Sequence, residues 1–158
     1  PSAESPAIET GPFPDDIPPE DREVPPPITL GSRYESDASE TGRQTSPVVA
    51  RLSREAQSQR RSGLLDQALS TTERALRIDP TNPDLWLLLG QVQLERGHYI
   101  QAEQLARKSI SLAGGDNALR ARNWRLIQEA RRRRGDAAGA GDALKKALDL
   151  ESGPSRTN

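Results

Sequence analysis

The side chains that could do chemistry are few. Histidine occurs once, at His98 beside Tyr99, and neither cysteine nor methionine occurs. Without cysteine there is no disulfide framework, thiolate nucleophile or cysteine zinc site, and a single histidine builds no histidine metal cluster. A catalytic base also needs an orienting group and a nucleophile, and nothing in the sequence supplies them to His98, which reads as structural or neutral. The glycine-rich run GDAAGAGDA, Gly135 to Ala143, could pass for a phosphate loop. It lacks GK[ST], however, and the stretch before it patterns as helix where a phosphate loop requires a strand. The expectation is a non-enzymatic protein with no cofactor and no metal.

Arginine carries the sharper signal. Arg120, Arg122, Arg125, Arg131, Arg132, Arg133 and Arg134 crowd one stretch, and Arg51, Arg54, Arg60 and Arg61 crowd another. A solvated basic face accounts for such residues; so would an acidic partner protein or nucleic acid. Nucleic-acid recognition usually adds a motif or stacking aromatics. The chain has only five aromatic residues, so a protein partner and no nucleic acid is the expectation.

The charge that these arginines bring is unevenly placed. The 158 residues carry a net charge of −1, but residues 1–46 hold three basic and ten acidic groups (−7), and residues 47–158 hold nineteen and thirteen (+6). Nine of the 13 prolines precede residue 28. The apolar residues of the first part (Ile8, Phe13, Ile17, Val24, Ile28, Leu30) follow no helical or strand period. Such a segment buries too little apolar surface to offset its ordering entropy. Residues 1–46 are therefore expected to be a disordered, acidic, proline-rich tether, with a reach of at most about 140 Å as polyproline II. Residues 153–158 are expected to form a disordered tail. The longest apolar run, Leu85 to Leu89, is five residues, far short of the ~18 of a membrane span. The chain begins at Pro1 with no signal peptide, which reads as a processed or cut form.

The elements that position the arginines repeat. Gly63 and Gly97 lie 34 residues apart, as do Ala68 and Ala102, Ala75 and Ser109, and Leu76 and Ile110. A third copy follows at an interval of 38: Gly97 to Gly135, Ala102 to Ala140, Ser109 to Ala147 and Trp86 to Trp124. The four extra residues fall in AGGDNAL, which reads as loop. Within the middle copy, Leu85, Leu88, Leu89 and Val92 recur at helical spacing, and Tyr99, Ala102, Ala106 and Ile110 do likewise. Asn82 is placed to cap a helix that starts at Pro83, and Asp116 or Asn117 to cap a later one. Helices are predicted near 47–61, 64–78, 83–96, 99–112, 118–134 and 136–150. Gly139 and Gly141 weaken the last, by about 1 kcal/mol each.

Trp86, Leu89, Gly90, Gly97, Tyr99 and Ala102 resemble the tetratricopeptide repeat, with Gln93 where an aromatic is usual and Gly114 where proline is usual. The resemblance implies an all-α, short α-solenoid of three helix pairs over 47–152, with repeats near 49–82, 83–116 and 121–152. Small residues at Gly90, Ala75, Ala102 and Ala147 would admit close helix approach, while Trp86, Trp124, Leu89 and Tyr99 fill the spaces between. In this family the first helix of each pair lines a groove for a peptide or partner helix. By that alignment the groove face comprises Ser53, Gln57, Arg60 and Arg61, then Leu87, Gln91, Leu94 and Glu95, then Arg122, Arg125, Glu129, Arg132 and Arg133. It would be basic at both ends, with Leu87 and Leu94 as an apolar middle.

The whole plan, an acidic tether before a short arginine-rich repeat domain, resembles more narrowly the tetratricopeptide-type outer-membrane lipoprotein activators of class A penicillin-binding proteins in pseudomonads. The bias of 19 arginines to 3 lysines fits a GC-rich genome. This resemblance implies a monomeric periplasmic protein that stimulates a peptidoglycan synthase. It would be held to the outer membrane only by a lipid absent from this chain. A generic scaffold binding a peptide or an acidic partner is the alternative, and an RNA-binding accessory a third reading.

Overall fold

In the computed structural model, residues 44–153 are described; the expected tether up to residue 43 and the last five residues lie outside the described residues. Six helices follow one another: α1 (Pro47–Arg61), α2 (Leu65–Ile78), α3 (Pro83–Glu95), α4 (Tyr99–Leu112), α5 (Asn117–Arg133) and α6 (Ala137–Ser152). Each end falls within two residues of the sequence expectation, the usual scatter for helix termini. Consecutive helices pack as pairs, α1 on α2, α3 on α4 and α5 on α6, and the first helices α1, α3 and α5 also adjoin. The described residues thus form an all-α solenoid of three helix pairs.

The turn within each pair is one motif used three times. Gly63, Gly97 and Gly135 adopt φ of 75°, 85° and 87°, a region that costs glycine little and other residues much. Leu64, His98 and Asp136 then donate their N–H groups back to Gln59, Gln93 and Arg131 carbonyls at 2.9 Å. That capping satisfies carbonyls otherwise left open at the helix end. At the other ends, the Asn82 side chain accepts from Asp84 N at 3.1 Å, Asp116 from Leu119 N at 2.9 Å and Asp136 from Gly139 N at 2.8 Å.

The four extra residues of the third copy do not lengthen a loop. Four residues separate α2 from α3 and four separate α4 from α5. The insertion is absorbed as an added turn at the start of α5, which runs 17 residues against 13 for α3. Asp116, placed before that turn, supplies its cap.

Helix α3 departs from the amphipathic pattern in a way that matters for the site. Nine of its 13 residues are buried. Leu85 and Leu89 join Val49, Leu52, Ala75 and Leu76 in one cluster, while Leu87 and Leu94 join Ala102, Ala106, Leu119, Leu126 and Ile127 in the other. As the central helix it is covered from both sides, and each fully buried leucine contributes about 1.5–3 kcal/mol. Gly90 permits the closest approach: a Cβ there would lie 2.8 Å from Leu126 Cδ2 and 3.3 Å from the Ala102 carbonyl oxygen. Trp86, Trp124 and Tyr99 are half-buried against these clusters rather than inside them. Trp86 keeps its indole N–H on the Pro80 carbonyl at 2.8 Å, and Lys146 stands 4.3 Å from the Trp124 ring centroid.

Two polar contacts cross the helix layers. Ser109 donates to the Pro83 carbonyl at 2.7 Å and accepts from Asn123 Nδ2 at 2.8 Å, joining α3, α4 and α5 inside the core. Glu103, buried on α4, meets Arg131 of α5 and Arg107 of its own helix.

Candidate interaction face

The first helices of the three pairs lie side by side and present one face built from α1, α3 and α5. On α1 this face holds Ser53 and Gln57, both half-buried, with Gln57 Nε2 3.5 Å from Ser53 Oγ. Arg60 reaches across to Glu95 of α3 and pairs with it. Arg61 is exposed and has no ion-pair partner among the described residues.

The middle of the face differs from expectation. Leu87 and Leu94 are 4% and 9% exposed and pack into the core, so they do not form an apolar floor open to a ligand. Their burial follows from the central place of α3. What α3 leaves accessible there is the half-buried Gln91, with Glu95 and Asp84 exposed at its two ends.

The arginines of α5 are not bare either. Arg122 lies 3.5 Å from Asp84 of α3. Arg125 makes two parallel bonds to Glu151 of α6, at 2.6 and 2.7 Å. Glu129 accepts from Arg132 at 2.7 and 2.8 Å and from Arg133 at 2.7 Å. Those bonds, Arg132 first and Arg133 next, hold the Glu129 carboxyl down at about 2. Arg125 likewise lowers Glu151 and is itself raised by it. The face expected to be basic at both ends is therefore a mixed surface, in which Asp84, Glu95, Glu129 and Glu151 answer most of the arginines. Asp84 and Glu151 were not foreseen as part of it. The signal for Asp84 was present, since it sits one turn before Leu87 on the same helix; Glu151 comes from the second helix of its pair and has no such signal.

Arg131 belongs to another layer. Its guanidinium bonds Glu103 at 2.6, 3.1 and 3.2 Å and the Gly139 carbonyl at 3.1 Å. These bonds, against the cost of burial, hold the Glu103 carboxyl below the usual carboxylate range. Arg134 stands 3.9 Å from Glu103 and 3.7 Å from Asp136.

Two concavities flank this arrangement. One, of about 570 Å³, is lined by Gly97, His98, Tyr99, Ile100, Gln101, Gln104 and Arg134, at the turn between α3 and α4. His98 uses Nδ1 to meet Gln93 Oε1 at 2.8 Å. Gln93, standing where the repeat usually has an aromatic, thus becomes a buried polar anchor for the turn, with Arg96 donating to it at 3.3 Å. The other, of about 260 Å³, opens between the starts of α1 and α3 and includes Ser53, Arg54, Asn82 and Asp84. The glycine-rich run 135–143 forms the turn and first residues of α6, and α5 precedes it, so the strand–loop–helix setting of a phosphate loop is absent there. Among the described residues, no group of three or more His, Cys, Asp or Glu could hold a metal ion, and no helix is long and apolar enough to cross a membrane.

Comparison with known proteins places this architecture. Residues 60–121 match the tetratricopeptide repeat family. The globular C-terminal domain of P. aeruginosa LpoP is similar with a TM-score of 0.64 and 44% sequence identity, over 66% of this chain and 99% of that one. The N-terminal domain of stress-induced protein-1 (STI-1) from C. elegans is similar with a TM-score of 0.62 at 15% identity, over 72% of this chain and 91% of that one, a likeness of fold. No curated protein matches the sequence.

Proposed function

The chain belongs to the tetratricopeptide-repeat family and is a protein-interaction module; from that premise we propose that it binds and stimulates a class A penicillin-binding protein. The observation that carries the reading is the 44% identity with the LpoP globular domain across 99% of that domain. At that identity, one side-chain layout on the solenoid serves one kind of partner more readily than a fold-only likeness would.

The interaction face supplies the contacts. Ser53 and Gln57 on α1 and Gln91 on α3 offer uncharged hydrogen-bonding groups, and the paired arginines and carboxylates frame them. Arg122 and Arg125 stand at the third-repeat end, each exposed and each held by a carboxylate that a partner can replace. Stimulation requires that the protein bind the active conformation of the synthase more tightly than the inactive one. An acidic, proline-rich segment of 46 residues before α1 would act as the tether to an outer-membrane anchor, reaching at most about 140 Å.

The test is glycan polymerisation by a purified class A synthase with and without the full chain. The proposal expects faster strand synthesis and a measurable complex, both reduced by Arg122→Glu with Arg125→Glu. No complex and no change in rate at micromolar protein would refute it.

A further inference from the structure

We infer that the outer face of α1 is a second docking surface, for an acidic helix of a partner protein. Arg51, Arg54, Ser58 and Arg61 stand at i, i+3, i+7 and i+10, so they form one stripe, about 15 Å long at the helical rise. All four are exposed. Val49, Leu52 and Ala56 bury the opposite side of the helix, and α1 opens the array, so none of α2 to α6 covers the stripe.

The stripe differs from the arginines that run from Arg122 to Arg134, though Arg120 of α5 and Arg74 and Arg77 of α2 also meet no carboxylate among the described residues. On and beside α5, Arg122, Arg125, Arg131, Arg132, Arg133 and Arg134 each meet a carboxylate. Arg51, Arg54 and Arg61 meet none among the described residues. Glu55, the acidic residue of α1, turns to Gln59 at 3.3 Å instead. Among the described residues, three guanidiniums on one helix face therefore have no ion-pair partner. Apolar side chains bracket them, with Val48 49% exposed before the stripe and Leu64 47% exposed after it.

That pattern specifies its occupant. A helix with carboxylates at the same spacing would answer all three guanidiniums at once, and charge-assisted bonds to Arg are the strong ones. Apolar residues at its ends would cover Val48 and Leu64. Nucleic acid fits less well, because Trp86, Trp124 and Tyr99 pack against the core and no aromatic lies on α1 for bases to stack on. The stripe shares Arg61 with the face of α1, α3 and α5, and Arg54 with the concavity beside that face, but the inference does not depend on the synthase reading.

The experiment titrates the full-length protein into a labelled, stapled synthetic helix carrying Glu at i, i+3, i+7 and i+10. A peptide of the same composition with the glutamates scrambled serves for comparison. The matched helix should bind at least about tenfold more tightly than the scrambled one, because only it aligns every charge pair. Reversing Arg51, Arg54 and Arg61 to Glu should remove that advantage while the circular dichroism stays helical, and Lys145→Glu on α6 should leave it in place. Equal binding of the two peptides, full binding by the triple variant, or tighter binding of a single-stranded RNA oligonucleotide than of the matched helix overturns the inference.

Discussion

Arg131 Nη2 lies 2.6 Å from Glu103 Oε1, and the same guanidinium donates to the Gly139 carbonyl at 3.1 Å, so one side chain fastens α4, α5 and α6 together. Glu103 and Arg131 keep only 12% and 17% of their side-chain surface exposed. Removing the negative charge would leave Arg131 half-buried beside a neutral amide. Glu103→Gln should lower the unfolding free energy by about 2 kcal/mol, the scale of hydrogen bonds to a charged group. Urea unfolding would show a lower midpoint at unchanged slope.

Acid should weaken the fold through three carboxylates. Glu129 is held at about 2, against an ordinary 4.5, by Arg132 and Arg133; Glu103 and Glu151 are also lowered, by Arg131 and Arg125 foremost. A depressed folded-state pKa means stability that is present above the unfolded value and lost as the pH falls through the folded one. The melting temperature should therefore fall between pH 4.5 and about 2, and Glu129→Gln should flatten part of that decline. A melting temperature constant over this window would contradict the ion-pair arrangement.

Two glycines on α3 and α6 should respond in opposite directions to the same substitution. At Gly90 an added Cβ meets Leu126 Cδ2 at 2.8 Å and the Ala102 carbonyl oxygen at 3.3 Å, whereas at Gly141 it meets nothing within 4 Å. Gly141→Ala should stabilise by up to about 1 kcal/mol, the helix-propensity gain. Gly90→Ala gains the same propensity but overpacks a buried contact, and should come out about 1 kcal/mol less stable.

Ser109 occupies a position where the other two repeats carry Ala75 and Ala147, so Ser109→Ala fits sterically. It nevertheless removes the donor to the Pro83 carbonyl and the acceptor for Asn123 Nδ2. Asn123 is fully buried and its Oδ1 is already without a partner. A loss of about 1–3 kcal/mol follows from leaving buried groups unsatisfied, measurable by denaturant unfolding.

The repeat intervals of 34 and 38 made the three helix pairs, their turn glycines and their caps legible, because each depends on residues close in sequence. What the sequence hid arises from packing between repeats. Leu87 and Leu94 align with groove positions, yet α3 is flanked on both sides and buries them. Glu151 is 26 residues from Arg125, and the pair forms only because α6 folds back along α5. The four-residue insertion read as loop, although the helix expected over 118–134, capped by Asp116 or Asn117, already held the extra turn that α5 shows. A count of arginines likewise exceeded the free charge, since pairing across helices is not written in any local spacing.

Arg125 and Glu151 allow the structural role and the proposed binding role of the interaction face to be separated. Arg125→Glu should release the last turn of α6, seen as faster amide exchange around Leu150 to Ser152, and under the proposed function should reduce stimulation of a class A synthase. The double exchange Arg125→Glu with Glu151→Arg restores an ion pair between the same two backbone positions, so protection of α6 should return. The guanidinium then projects from α6 instead of α5 and stands displaced from any partner group that met it at position 125. If Arg125 contacts the partner, stimulation stays reduced although the helix end is repaired. Full recovery of stimulation in the exchanged pair would assign Arg125 to holding α6 alone, and would move the partner contact to the remaining residues of the face, Ser53, Gln57 and Gln91 among them.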